Sequence, residues 1–243
     1  MRNLIKTLRQ KLDAGAPFSS QQLREAGVSN ALAAKYVHSG WLERLDRGVY
    51  KFAGDPLERD PSFRFLEGRL DGLHVAGKSA LARHGYMYHL AFNEVTRLWG
   101  ESRAQLPDWV RERFDVQFYV RHLFGVSLPF EGRVCRLPDA PEGPLVSQPE
   151  VALLEMLSEV GVTEGVEESR QIMETMRRLR SGYLSKAISA CRMVKAVRLC
   201  VHWAQEFKLD WADSALEAVP GHQRKGRWVG KMRDGTTLTL PEL

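Results

Sequence analysis

Apolar residues recur at helical spacing from the first residues onward. Leu4, Ile5, Leu8 and Leu12 share one face, which predicts an amphipathic helix over residues 2–14, ended by Gly15-Ala16-Pro17. Phe18-Ser19-Ser20 then offers a serine N-cap for a short helix carrying Leu23 and Ala26, closed by Gly27. Val28-Ser29 forms a tight turn, and Ser29 or Asn30 caps a third helix, Ala31 to His38, stopped by Gly40. Trp41-Leu42 and Val49-Tyr50-Lys51-Phe52 are strand-like, with Asp46-Arg47-Gly48 as the turn between them. Helix, helix, tight turn, helix, hairpin is the order of a winged helix-turn-helix.

In that motif the third helix enters the major groove of DNA, its N-terminal residues nearest the base edges. The expected contacts from this helix and its cap are Ser29, Asn30, Ala34, Lys35 and His38, with Ala33 also on an outer face. Val28, Leu32, Tyr36 and Val37 are expected to pack inward. Asn30 suits a base edge, Lys35 a phosphate or guanine, and two alanines leave room for close approach. Arg44, Arg47 and Lys51 of the hairpin suit phosphates or a minor groove.

Beyond Pro56 and Pro61 the periodicity is less regular. Phe63, Leu66, Leu70 and Leu73 predict a helix, and residues 79–90 predict another with Gly85 inside it. Arg97-Leu98-Trp99 and Phe114 to Val120 are strand-like, and residues 93–147 read as the small sheet of a second domain. Helices follow at Pro149–Leu157, Glu167–Leu179, Leu184–Cys191 and Val194–Phe207. A glycine-broken basic stretch then pairs Trp228 and Val229 with Leu238 and Leu240 in a terminal hairpin. The fold class is α+β, divided as 1–92, a winged helix-turn-helix with connecting helices, and 93–243, a larger mixed domain.

Composition narrows the function. The 243 residues are 44% hydrophobic, enough for one sizeable core or two smaller ones. No apolar run reaches the ~18 residues of a membrane span, and the N-terminus lacks the apolar stretch of a secretory signal. Three cysteines at unrelated spacings, Cys135, Cys191 and Cys200, suit reduced thiols in a cytoplasmic protein with no zinc site. Residues 1–54 hold nine bases against four acids, the footprint of a nucleic-acid binder. An acidic run follows at 142–169, then a basic one from Arg170 to Lys208 that reads either as a second binding surface or as a solvated face.

Gly72 to Ser79, GLHVAGKS, matches the G-x-x-x-x-G-K-S pattern of a phosphate-binding loop. Its interior is apolar, charged helix-like residues precede it, and no magnesium-binding acid follows a strand, so the nucleotide reading fails on context. His84 and His89 are five apart with no glutamate of an H-E-x-x-H between them, which leaves no metal site. Glu206-Phe207-Lys208 has the tail of a nuclease signature without its aspartate, and no G-x-S-x-G occurs. No cofactor is expected.

Two stretches, KYVHSGWLERLDRGVYKF at 35–52 and HVAGKSALARHGYMYHL at 74–90, resemble the AbiEi antitoxins of bacterial type IV toxin–antitoxin systems. SQPEVALLEML at 147–157 and ACRMVKAVRLCVHWAQE at 190–206 extend the resemblance over nearly the whole chain. It implies a non-enzymatic, DNA-binding transcriptional autorepressor that recognises inverted repeats in its own promoter, through Asn30, Lys35, Arg44 and Arg47. It also implies a role in abortive infection of phage. The larger domain would counter a nucleotidyltransferase-like toxin without a stable complex. In GHQRKGRW, 221–228, the basic character of the family's C-terminal run survives but its pattern does not. The alternative is a stand-alone winged-helix regulator whose second domain senses a ligand or dimerises.

Overall fold

The structure, a computed structural model, describes residues 2–87 and 95–243, with side chains from Leu4 onward. The N-terminal unit comprises α1 (Arg2–Lys11), β1 (Phe18–Ser19), α2 (Ser20–Glu25), α3 (Asn30–His38), β2 (Leu42–Asp46) and β3 (Val49–Phe52). Its antiparallel sheet has the order β1-β3-β2, pairing Phe18 with Tyr50 and Leu42 with Phe52. The strand β1 is too short to announce itself by alternation. The sequence Ser19-Ser-Gln-Gln22 folds into a capping box: Ser19 Oγ accepts from Gln22 N at 3.1 Å, and Gln22 Oε1 accepts from Ser19 N at 2.7 Å. Gly27 sits at φ +86, so the chain can reverse and Val28 N can donate back to Leu23 O at 2.8 Å. Ser29 caps α3 by accepting from Leu32 N at 3.3 Å.

These elements close on one core of Ile5, Leu8, Phe18, Leu23, Val28, Ala33, Tyr36, Leu42 and Phe52. Val28 and Tyr36 point inward as expected, while Leu32 and Val37 are only half-buried. Ala33 corrects the sequence reading. It is buried, because it lies one turn from Tyr36 on the core face, and Ala34 alone of the two alanines faces out.

The larger unit begins with α4 (Arg59–Glu67), β4 (His74–Val75), α5 (Gly77–Arg83), β5 (Thr96–Gly100), α6 (Asp108–Arg111) and β6 (Val116–Val120). It continues with α7 (Phe130–Arg133), β7 (Val134–Cys135), β8 (Val146–Ser147), α8 (Pro149–Glu159), α9 (Val166–Thr175), α10 (Ser181–Ala190) and α11 (Val194–Glu206). Two short helices, α12 (Ala212–Glu217) and α13 (Gly221–Arg224), and a hairpin, β9 (Trp228–Lys231) with β10 (Thr237–Leu240), complete it. The mixed sheet has the order β6-β5-β4-β8-β7. Its central strand β4 precedes residue 93, so the sheet draws on more of the chain than the 93–147 the sequence suggested. The helix expected over 79–90 starts at Gly77 and stops at Arg83; residues 88–90 lie outside the described ones. The terminal hairpin has the expected pairing, Trp228 with Leu240.

Helix α8 is the axis of this unit. Val151, Leu153, Leu154 and Leu157 are fully buried, and α5, α10 and α11 pack around it. Packing divides the chain between Phe52, in the small core, and Leu57 and Phe63, which belong to the large one. Residues 92 and 93, where the sequence reading divides it, lie outside the described residues. Glu43 of β2 ties the two units together, receiving Lys51 Nζ at 2.9 Å and Arg113 at 3.1 Å. Glu58 N donates to Gly15 O at 2.8 Å across the same junction.

Candidate nucleic-acid interface

Helix α3 presents one clear outer face. Asn30, Ala34 and His38 lie at four-residue steps, Lys35 lies beside them, and all four are exposed. The helix holds no acidic residue. Nine residues at 1.5 Å each make a rod of about 13 Å, and a helix about 10–12 Å across with its side chains matches a major groove about 12 Å wide. Ser29 is exposed at the N-terminus, where its side chain is already committed to the cap. Asn30 Oδ1 sits 3.5 Å from Arg24 Nη1 at the end of α2, so Arg24 is brought to the same edge. The sequence reading passed over Arg24; its signal was a basic residue six positions before the capped turn.

The wing supplies the second half. Arg44 and Arg47 are exposed on either side of its tip. Asp46, the one acid there, is spent on the tip itself: its carboxylate accepts Arg47 N at 2.6 Å, and its carbonyl accepts Arg44 Nε at 3.2 Å. Lys51 was expected beside them and is placed differently. It is 8% exposed and donates to Glu43 and to the Asp55 carbonyl, the latter at 2.8 Å, so it anchors the root of the wing. Trp41, 46% exposed between α3 and β2, borders the same region and was also passed over.

The other chemical candidates resolve into structure. In GLHVAGKS a strand does lead into a helix, β4 into α5, but the place of a phosphate is taken by a carboxylate. Glu155 accepts from Gly77 N at 2.8 Å, Ser147 Oγ at 2.9 Å and His74 Nε2 at 3.3 Å, all within the core. Lys78 reaches Glu168 at 2.9 Å and Glu164 at 3.7 Å. His84 Nε2 bonds the Ser147 carbonyl at 2.9 Å, and burial pushes its pKa down. His89 lies outside the described residues, among which no cluster of three metal-ligating side chains occurs. Burial pushes the Cys191 thiol up to about 11 and Cys200 higher, which makes both poor nucleophiles.

The basic run 170–208 is mixed: Lys195 and Arg198 are buried, whereas Arg177, Arg178, Lys186, Arg192 and Lys208 are exposed. Arg170 pairs with Glu206, the acid of the nuclease-like tail, Arg180 with Glu150 at 2.7 Å, and Lys195 donates to Val160 O at 2.8 Å. Arg198 is fully buried, donating to the carbonyls of Gln223, Lys225, Gly226 and Pro241. The acidic run 142–169 supplies carboxylates for this framework, through Glu150, Glu155, Glu159 and Glu164.

Comparison with known proteins agrees with the sequence resemblance. The family model described as transcriptional regulator, AbiEi antitoxin N-terminal domain, matches residues 1–92. The model described as transcriptional regulator, AbiEi antitoxin, type IV toxin–antitoxin system, matches residues 93–236. The crystal structure of the RV2827C protein from Mycobacterium tuberculosis superposes with a TM-score of 0.59 at 16% identity, over 93% of this chain and 81% of that one. At that identity the likeness concerns the fold. No curated protein matches the chain. No helix among the described residues is long and apolar enough to cross a membrane. The two family models together span nearly the whole length, and the chain belongs to the AbiEi family of transcriptional-regulator antitoxins of type IV toxin–antitoxin systems.

Proposed function

We propose that this protein represses its own operon by binding inverted repeats in the promoter, and that its larger unit counters a nucleotidyltransferase-like toxin without holding it in a stable complex. It acts in the cytoplasm, on double-stranded DNA, and catalyses no reaction. The observation that carries the DNA reading is the acid-free outer face of α3 beside a wing whose two tip arginines are exposed. Arg24, Arg44 and Arg47 hold phosphates and fix register, while Asn30 and Lys35 read base edges. His38 and Ala34 line the groove wall, Ser29 holds the helix start, and Lys51 acts only by keeping the wing rigid.

A reporter fused to the protein's own promoter, scored beside survival of cells expressing the neighbouring toxin gene, tests both halves. Lys35→Glu should release repression and leave toxin rescue intact, because Lys35 is exposed and takes no part in the large core. Full repression by this variant would contradict the assignment. Loss of both readouts in a stably folded variant would contradict the division of labour.

A further inference from the structure

A cleft of about 610 Å³ opens between the terminal hairpin and the start of α11, and continues into a smaller cavity of about 220 Å³. Arg121, Ser158, Arg192 and Met193 line both. Cations converge on it from three elements: Arg192 and Lys195 from α11 and its lead-in, Arg121 from the loop after β6, Lys231 from β9; the His122 imidazole lines the inner cavity. The one carboxylate at the cleft, Glu159, is consumed by Arg121 at 2.7 Å. Arg192 and His122 make no side-chain hydrogen bond or ion pair among the described residues. Lys195 is 7% exposed, yet only one of its three donors is used, on the Val160 carbonyl. Its burial pushes the ammonium pKa down, opposed by the nearby Glu159 carboxylate. The N-terminus of α11 has neither a capping side chain nor an acid in its first turn, so its dipole adds to the positive field.

The walls are apolar. Met193 is exposed at the rim, Trp228 flanks the opening, and Trp99 with Leu123 floors the inner cavity. We propose that this cleft binds a small organic anion carrying a flat apolar ring, with its phosphate or carboxylate against Arg192 and Lys195 and its ring against Met193 and Trp228. The volume falls within the range of small-ligand sites. A duplex backbone is convex and cannot reach the buried Lys195 or the inner cavity floored by Trp99, which favours a small ligand over nucleic acid. The proposal stands apart from promoter binding, which uses the other unit.

The test is calorimetry and tryptophan fluorescence on the full chain with four probes: AMP, indole-3-acetate, adenosine and inorganic phosphate. AMP or indole-3-acetate should saturate below about 1 mM, with adenosine and phosphate each at least about tenfold weaker. Arg192→Glu, which disturbs no partner, should weaken that binding by about tenfold or more at unchanged Tm, and promoter binding should be unaffected. Lys195→Met should do the same where it folds. The proposal is overturned if no probe saturates, if phosphate alone binds as well as AMP, if a 20-base-pair duplex displaces the probe, or if Arg192→Glu binds like the wild type.

Discussion

Removing both wing arginines, Arg44→Ala with Arg47→Ala, isolates the electrostatic part of DNA binding. Both side chains are exposed, and their hydrogen bonds are confined to the tip, so thermal stability should stay within about 0.5 kcal/mol of wild type. Each phosphate neutralised by a cation contributes about 0.9 to the slope of log K against log salt. Two lost contacts therefore flatten the slope by about 1.8. Carried from a 1 M reference to 0.15 M salt, that is about 1.5 decades, or roughly 30-fold and about 2 kcal/mol. Gel-shift titrations at four salt concentrations, on promoter and scrambled duplex alike, measure it. The loss should be equal on the two duplexes, because phosphate contacts carry no sequence information. Lys51→Met is the contrast: it should lower Tm through loss of the Glu43 and Asp55 contacts while keeping the wild-type slope at a temperature where it is folded. An unchanged slope in the double variant would remove the wing from the interface, and a flattened slope in Lys51→Met would return Lys51 to it.

Further outcomes test the framework. Glu155→Ala leaves Gly77 N, Ser147 and His74 without their acceptor in the core, and should cost about 3 kcal/mol in denaturant unfolding; a loss under about 1 kcal/mol would refute its role in the turn. Acid should remove the contributions of His84 and Glu150 in turn, while Glu164, whose carboxyl burial raises to about 7, adds stability as pH falls between about 7 and 4.5. His84 is neutral in the fold with its pKa pushed below 6.5, so the unfolded chain takes up the proton first and this contribution falls as pH drops below 6.5. Burial alone would raise the Glu150 carboxyl, but the Arg180 hydrogen bonds outweigh it and hold it below 4.5, so its contribution is lost as pH falls further. A His84→Gln variant should alter the profile of Tm against pH below 6.5, and an unaltered profile would exclude the His84 contribution. Gly27→Ala meets no atom within 4 Å but keeps a φ of +86, so it should cost about 1 kcal/mol by backbone strain alone; no change in Tm would mean that the α2–α3 turn rearranges freely.

The N-terminal unit was largely legible because its signals are local. Ser19, Gly27, Ser29 and Gly40 punctuate helices within a few residues of the groups they satisfy, and the wing is a turn between two short runs. Ala33 and Ala34 were not separable by type; only the position of Tyr36 one turn on decides which is inside. Lys51 resembled the other wing cations, and its partners Glu43 and Asp55 come from the neighbouring strand and the outgoing loop. The larger unit was less legible because its ordering contacts are long-range. The two-residue strand β4 has no periodicity to read, yet it centres the sheet. Arg198 looked like a surface cation, and the carbonyls that bury it arrive from residues 223–226 and 241. Glu155, which occupies the phosphate-loop mimic, lies 78 residues from Gly77.

Fluorescence anisotropy on the duplex upstream of the protein's own gene, against a scrambled duplex at the same salt, tests the central claim most directly. Affinity for the native duplex greater by about 10³ or more is the result expected of base readout by α3. Equal, salt-sensitive binding to both duplexes would contradict it and leave the N-terminal unit a basic surface without a sequence to read.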